Sequence, residues 1–327
     1  MHAISALKHR RGFTIIEMLV VVSVISLLIA ILLPTLGAVR AKGQKTEEVN
    51  NLRQIGYGWN QYANQNNDAA LPGFLSPEVQ MNWQVRFRYP DKTTMGADPA
   101  GPWTWRLAPF FEYNGAMLRG YTNDDSLEPL ALIDNAQIVA EQPAFAYNGY
   151  YLGGVWDMVT VDGVNRSAPR FNWAASQENP DRNVRVVTKT ISGVKRASEM
   201  VAFTTAARLS APPALIKEVD DDVPGWHLAQ PPYLAEELQW GVPDSTGADQ
   251  GGSLSVAAGA NTQVQIYLAP GNPVPVPIGR YTNSAPVLYV DGSTSTTSPG
   301  SLANMRKWID AADDNDWIHT DPWPPSP

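Results

Sequence analysis

Arg10-Arg11-Gly12-Phe13-Thr14-Ile15-Ile16-Glu17-Met18-Leu19 leads into an uncharged run that continues to Val39. The 22 residues from Met18 to Val39 are rich in Leu, Ile and Val. That length matches the roughly 20 apolar residues a helix needs to cross a bilayer core. Met1 to Gly12 is short and basic, with Lys8, Arg10 and Arg11 and no acid. A cleaved secretory signal has an apolar stretch of only about 7–15 residues before a small-x-small cleavage site. Here the stretch is too long, and Thr35-Leu36-Gly37 is a poor site for such a cut. Lys8, Arg10 and Arg11 face Arg40, Lys42 and Lys45 across the run, so loop charge alone does not orient it.

Glu17 stands at the start of this run. A carboxylate near the centre of a membrane helix costs about 2.5–3.5 kcal/mol on insertion scales. Either Glu17 lies shallow and reaches the headgroups, or it has a partner. A cut after Gly12 would make Phe13 the new N-terminus, its amine only about 6 Å along the helix axis from Glu17. A neighbouring copy shifted along its own axis could then set its amine against this carboxylate, neutralising both charges within lipid.

The same ten residues resemble the prepilin processing motif of type IV pilins and type II secretion pseudopilins. The resemblance implies a prepilin peptidase cut between Gly12 and Phe13, N-methylation of Phe13, and Glu17 as the acid at the fifth mature position. Pro34 falls where that family often carries a helix-kinking proline; a proline removes one backbone donor and bends a helix. Implied partners are the prepilin peptidase, other pilin or pseudopilin subunits, a secretion or pilus assembly platform and membrane lipid. The implied location is the cytoplasmic membrane, crossed once, with the leader in the cytoplasm and the remainder outside. The alternative is a membrane-anchored binding domain, for glycan or protein, or an enzymatic domain, using the same kind of leader.

Beyond Arg40 the run becomes amphipathic. Val49, Leu52, Ile55, Trp59, Tyr62 and Ala63 recur at three- and four-residue steps, with Glu47, Glu48, Asn50, Arg53 and Gln54 between them. Gly56 and Gly58 each cost about 1 kcal/mol relative to alanine, so packing must hold this part of the helix. Asn64 to Asp68 and Leu71-Pro72-Gly73 end it.

The remainder, with 27 Pro and 25 Gly in the whole chain, shows no long helical period. Short β-like runs stand out at Ala144 to Leu152, Val184 to Thr190, Met200 to Thr205, Val264 to Leu268 and Val287 to Val290. A short helix is expected over Ser301 to Ile309. The reading is an α+β, pilin-like fold: a long N-terminal helical spine on a mostly antiparallel sheet with loop-rich insertions. Its divisions are a leader (1–12), a transmembrane helix (13–39), an amphipathic extension (40–67), a β-rich head (68–310) and an acidic, proline-rich tail (311–327).

A second resemblance lies late in the chain. Many large pseudopilin-like proteins carry a histidine, nine residues and then Asp-Gly behind a strand. Pro286 to Val290 followed by Asp291-Gly292 fits the strand and turn, but Tyr281 stands in the histidine position. Asp291-Gly292 is also a good hairpin turn in its own right, and that reading competes with a ligand role.

Other chemistry is sparse. Twenty-four Lys+Arg against 32 Asp+Glu give a net charge of -8, which argues against nucleic-acid binding. Removing the leader's three cations leaves 21 against 32, or -11. The absence of cysteine excludes disulfides, thiolate zinc sites and cysteine nucleophiles. Four scattered histidines form no zinc motif, and neither a nucleophile elbow nor a phosphate loop is present, so no enzymatic activity is expected. Asp313, Asp314 and Asp316 could offer oxygen ligands to calcium, though without EF-hand spacing; a solvated acidic loop is the simpler reading, and no other cofactor is implied. Trp103, Trp105, Trp156, Trp173, Trp226 and Trp240 sit among polar neighbours, as core anchors or as an aromatic surface for a glycan.

Overall fold

In a computed structural model the chain divides into two compact units, Met1–Gln44 and Lys45–Pro327. The structure describes residues 14–113, 133, 135–161, 163–171, 173–175, 183–209, 225–235, 238–241, 267–268, 274–277, 279, 284–313 and 317. Helix α1 runs from Ile15 to Gln65 and is helical through position 34. It ends where Asn67 and Asp68 take positive φ of 53° and 64°, a conformation that asparagine and aspartate tolerate best among residues with a Cβ.

In the first unit every described side chain from Ile15 to Val39 is exposed, among them Leu19, Leu28 and Leu33. The helix is long and apolar enough to cross a membrane. Its hydroxyls are satisfied internally. Ser23 Oγ donates to the Leu19 carbonyl and Thr35 Oγ1 to that of Leu32, each at 2.8 Å. Such back-bonding lets a hydroxyl sit in hydrocarbon without seeking an outside acceptor.

In the second unit the lower part of α1 packs on a sheet. The strands in chain order are β1 (Phe74–Leu75), β2 (Ala146–Tyr147), β3 (Val155–Val161), β4 (Val164–Pro169), β5 (Trp173–Ala175), β6 (Asn183–Arg185), β7 (Val201–Thr204), β8 (Ala206–Leu209), β9 (Tyr233–Ala235), β10 (Leu238–Gly241), β11 (Tyr267–Leu268), β12 (Val274–Pro277), β13 (Ala285–Tyr289) and β14 (Thr294–Thr297). The largest sheet has the order β14-β13-β7-β2 and is antiparallel throughout. Among the described residues the other strand-to-strand pairings are antiparallel as well, apart from the parallel pair β1–β3. This is an α+β chain with an N-terminal helical spine.

The register explains the packing. Leu288, Phe203 and Tyr147 are direct partners across β13, β7 and β2, so they form one row on one face. Trp59 meets that row edge-on, its ring 6.3 Å from Tyr147 and 6.0 Å from Phe203. One turn back, Gly56 lies so close to Leu288 that a Cβ there would fall 2.9 Å from Leu288 Cδ1. The helix-weakening glycine is therefore what lets spine and sheet approach. Leu52, Ile55 and Trp59 are wholly buried and Ala63 almost so, as the three- and four-residue steps require.

Several expectations change. The β-like run from Ala144 shortens to Ala146–Tyr147, because Asn148 turns inward and its Nδ2 donates to the carbonyls of Val201 and Trp308. Gly149 then abuts Gly73, where a Cβ would come within 2.5 Å of the opposing backbone. The helix expected over Ser301 to Ile309 is split into a turn of helix at Pro299–Leu302 and a 3-10 turn at Met305–Lys307. Asn304 breaks it, extended and accepting from Arg306 N at 2.9 Å. Buried core continues past the boundary set at 310, with Ala312 and Trp317 both inside.

Candidate functional site

The N-terminal turn of α1 carries the most specific arrangement. Thr14 N and Thr14 Oγ1 both donate to Glu17 Oε2 at 2.8 Å, while Glu17 N donates to Thr14 Oγ1 at 3.2 Å. This is a reciprocal capping box: Thr14 satisfies one orphan amide of the first turn and Glu17 another. The carboxylate also lies at the positive end of the helix dipole. A carboxylate has about four lone-pair sites, so the cap leaves acceptor capacity for a second donor. The pattern Thr-x-x-Glu before an apolar run was visible in the sequence; Thr14 was the residue the reading of Glu17 passed over.

Gly12 and Phe13, the two sides of the expected cut, lie outside the described residues, as do Tyr281, Asp314 and Asp316. Pro34 sits within α1. Asp291 and Gly292 form the tight connection between β13 and β14. Asp291 Oδ1 accepts from Ser293 N at 2.9 Å and from Ser293 Oγ at 2.6 Å. Gly292 has φ +86°, and its N–H closes the turn on the Tyr289 carbonyl at 3.0 Å. The geometry is that of a hairpin turn, with the aspartate oxygen engaged in holding it. Among the described residues no group of three His, Asp or Glu could hold a metal ion.

The structure decides between the two readings for two of the tryptophans. Trp103 and Trp105 are buried. Trp103 Nε1 donates to the His227 carbonyl, and Trp105 Nε1 to that of Ala136 at 3.0 Å. Large aromatics with a satisfied N–H belong to the core, so neither forms a glycan-facing surface. Among the described residues Trp83 is an exposed tryptophan, 39% exposed at the end of a short helix.

Residues 7–33 match the family model of the prokaryotic N-terminal methylation motif. The matched residues include Gly12, Phe13, Thr14 and Glu17 and stop short of the amphipathic part of α1. No curated protein and no solved structure matches the chain. In its N-terminal segment the chain is similar to type IV pilin and pseudopilin-like proteins.

Proposed function

We propose, starting from this N-terminal methylation motif, that the chain is a structural subunit of a type II secretion pseudopilus or a type IV pilus-like filament. It is made as a prepilin, cut between Gly12 and Phe13 by a prepilin peptidase and methylated on Phe13. It then resides in the cytoplasmic membrane as a single-pass protein, with the leader side in the cytoplasm and the head outside. Assembly transfers subunits from the bilayer to a bundle of spines with the help of an assembly platform and the membrane lipid around it.

The observation that carries this reading is Glu17 in the first turn of α1, hydrogen-bonded to Thr14 at the head of the apolar, exposed stretch that runs to Val39. In a lone subunit the cap lowers the cost of placing a carboxylate at the membrane boundary. In an assembly the same carboxylate receives the Phe13 amine of a neighbour, and that pairing sets the axial register between spines. Burying either charge alone is far more costly than burying the pair.

The test is Glu17→Val. Processing should continue, because the cut lies five residues away, while incorporation into filaments should drop to background. Filaments that form at the wild-type level from the Glu17→Val chain would refute the pairing.

A further inference from the structure

The head carries a positively charged hairpin on an otherwise acidic protein. After Asn82, Gln84 takes a positive φ of 56° and turns the chain out of the helix at Pro77–Asn82. Residues 85–95 then double back: Met95 N donates to Phe87 O at 2.9 Å and Tyr89 N to Thr93 O at 3.0 Å. Alternation sends Phe87 and Tyr89 inward. The Tyr89 ring lies 5.6 Å from that of Trp105, and the Arg106 guanidinium sits 5.8 Å over Phe87. The outward positions are Arg86 and Arg88, with Lys92 at the tip, all exposed.

Asp91, the acid of this hairpin, is engaged by Thr93 through its N–H at 2.9 Å and its Oγ1 at 2.6 Å. Among the described residues no carboxylate lies within ion-pair distance of Arg86, Arg88 or Lys92. Between hairpin and helix lies a half-open cleft of about 440 Å³, lined by Gln80, Met81, Gln84, Phe87 and Met95. Met81 is 71% exposed at its rim, with Trp83 beside it. Exposed methionine, tryptophan and arginine around a preformed cleft is the composition of a protein interface.

A glycan fits less well. Trp83 packs against Trp156 at 67° with ring centroids 4.8 Å apart, and Lys189 Nζ stands 4.9 Å over Trp156. These rings meet edge to face and offer no coplanar pair for sugars to stack on.

We infer that the Arg86–Arg88–Lys92 hairpin and its cleft dock an acidic face of the head of a second copy of this chain. The inference rests on the filament reading. Processed copies carry 21 Lys+Arg against 32 Asp+Glu, so two heads brought together at random repel. A basic outcrop on each copy makes one relative arrangement attractive. Such a contact joins two different faces, so it is heterologous and propagates along a helical assembly rather than closing as a two-fold dimer.

A photocrosslinking amino acid in place of Met81, in the full-length chain in its membrane, tests this. Irradiation should give a species of twice the subunit mass, with the crosslink mapping to an Asp- or Glu-bearing segment of the same sequence. Arg86→Glu with Arg88→Glu should lower the yield about tenfold. Lys195→Glu, at an exposed position remote in sequence, should leave it unchanged. No dimer, a dimer insensitive to the double reversal, or a crosslink only to a different protein would overturn the inference. The N-terminus of the same sample is read in parallel. Methylated Phe13 without the dimer refutes the docking surface alone, whereas an intact leader refutes the filament reading and this inference with it.

Discussion

Gly56→Ala isolates the contact between spine and sheet. In solvent the change would stabilise the helix by about 1 kcal/mol. Here the added methyl would lie 2.9 Å from Leu288 Cδ1 and 3.0 Å from Cδ2, where ordinary contacts begin near 3.4 Å. Leu288 is fully buried and must shift by about half an ångström or more in a packed core. Overpacking of this kind costs about 1–3 kcal/mol, so the net effect is a destabilisation of up to about 2 kcal/mol. Leu288→Ala alone should cost about 2–5 kcal/mol. The three atoms nearest the new methyl, leaving out its own chain neighbours and helix backbone, all belong to Leu288. In the Leu288→Ala background, Gly56→Ala should therefore change sign and stabilise by about 1 kcal/mol. Denaturant unfolding of the full chain in detergent, followed through tryptophan fluorescence, reads all four members of the cycle. If Gly56→Ala has the same effect in both backgrounds, the close approach of α1 to β13 is wrong.

Gly292→Ala should destabilise by about 1 kcal/mol through backbone strain alone, since the nearest atom to a new Cβ, Asn60 Nδ2, is 3.8 Å away. Gly292→Asn should cost less because asparagine tolerates this conformation; thermal melts that order the two variants the other way would contradict the turn assignment. Head stability should also fall above about pH 10. Burial raises the pKa of the Tyr62 and Tyr147 phenols above their ordinary value, so the unfolded chain loses these protons first and unfolding is favoured as pH rises past 10. Arg106 offsets part of this: burial lowers its pKa to about 10, so the unfolded chain holds that proton more tightly. Tyr147→Phe should flatten the alkaline loss measured by denaturant titration at several pH values, and an unchanged slope would show that Tyr147 is not protected.

What the sequence disclosed was local. The apolar run, the steps from Leu52 to Ala63 and the Asp291-Gly292 turn each depend on a single continuous stretch of chain, and each is found in the structure. The hairpin of β3 and β4 was equally legible and was overlooked. Its strands pair Val161 with Val164, and the sequence between them reads Asp162-Gly163, a dipeptide that favours tight hairpins. The acceptors that hold Trp103 and Trp105 in the core could not be read locally, because the carbonyls of His227 and Ala136 lie far along the chain. The role of Gly56 has the same origin: its partner Leu288 is 232 positions away, and only the register of β13, β7 and β2 brings it there. Thr14 was missed for a different reason. Lipid and an incoming amine account for a carboxylate at Glu17 without any local donor, and only the structure shows Thr14, three residues earlier, within reach.

The account depends on the chain starting at Phe13 when it functions, because only then is there an amine to meet Glu17. Mass spectrometry of the N-terminal peptide from protein isolated from its native membrane measures this directly. The predicted result is a peptide beginning with N-methylated Phe13. A peptide beginning at Met1, or one cut near Gly37, would contradict it.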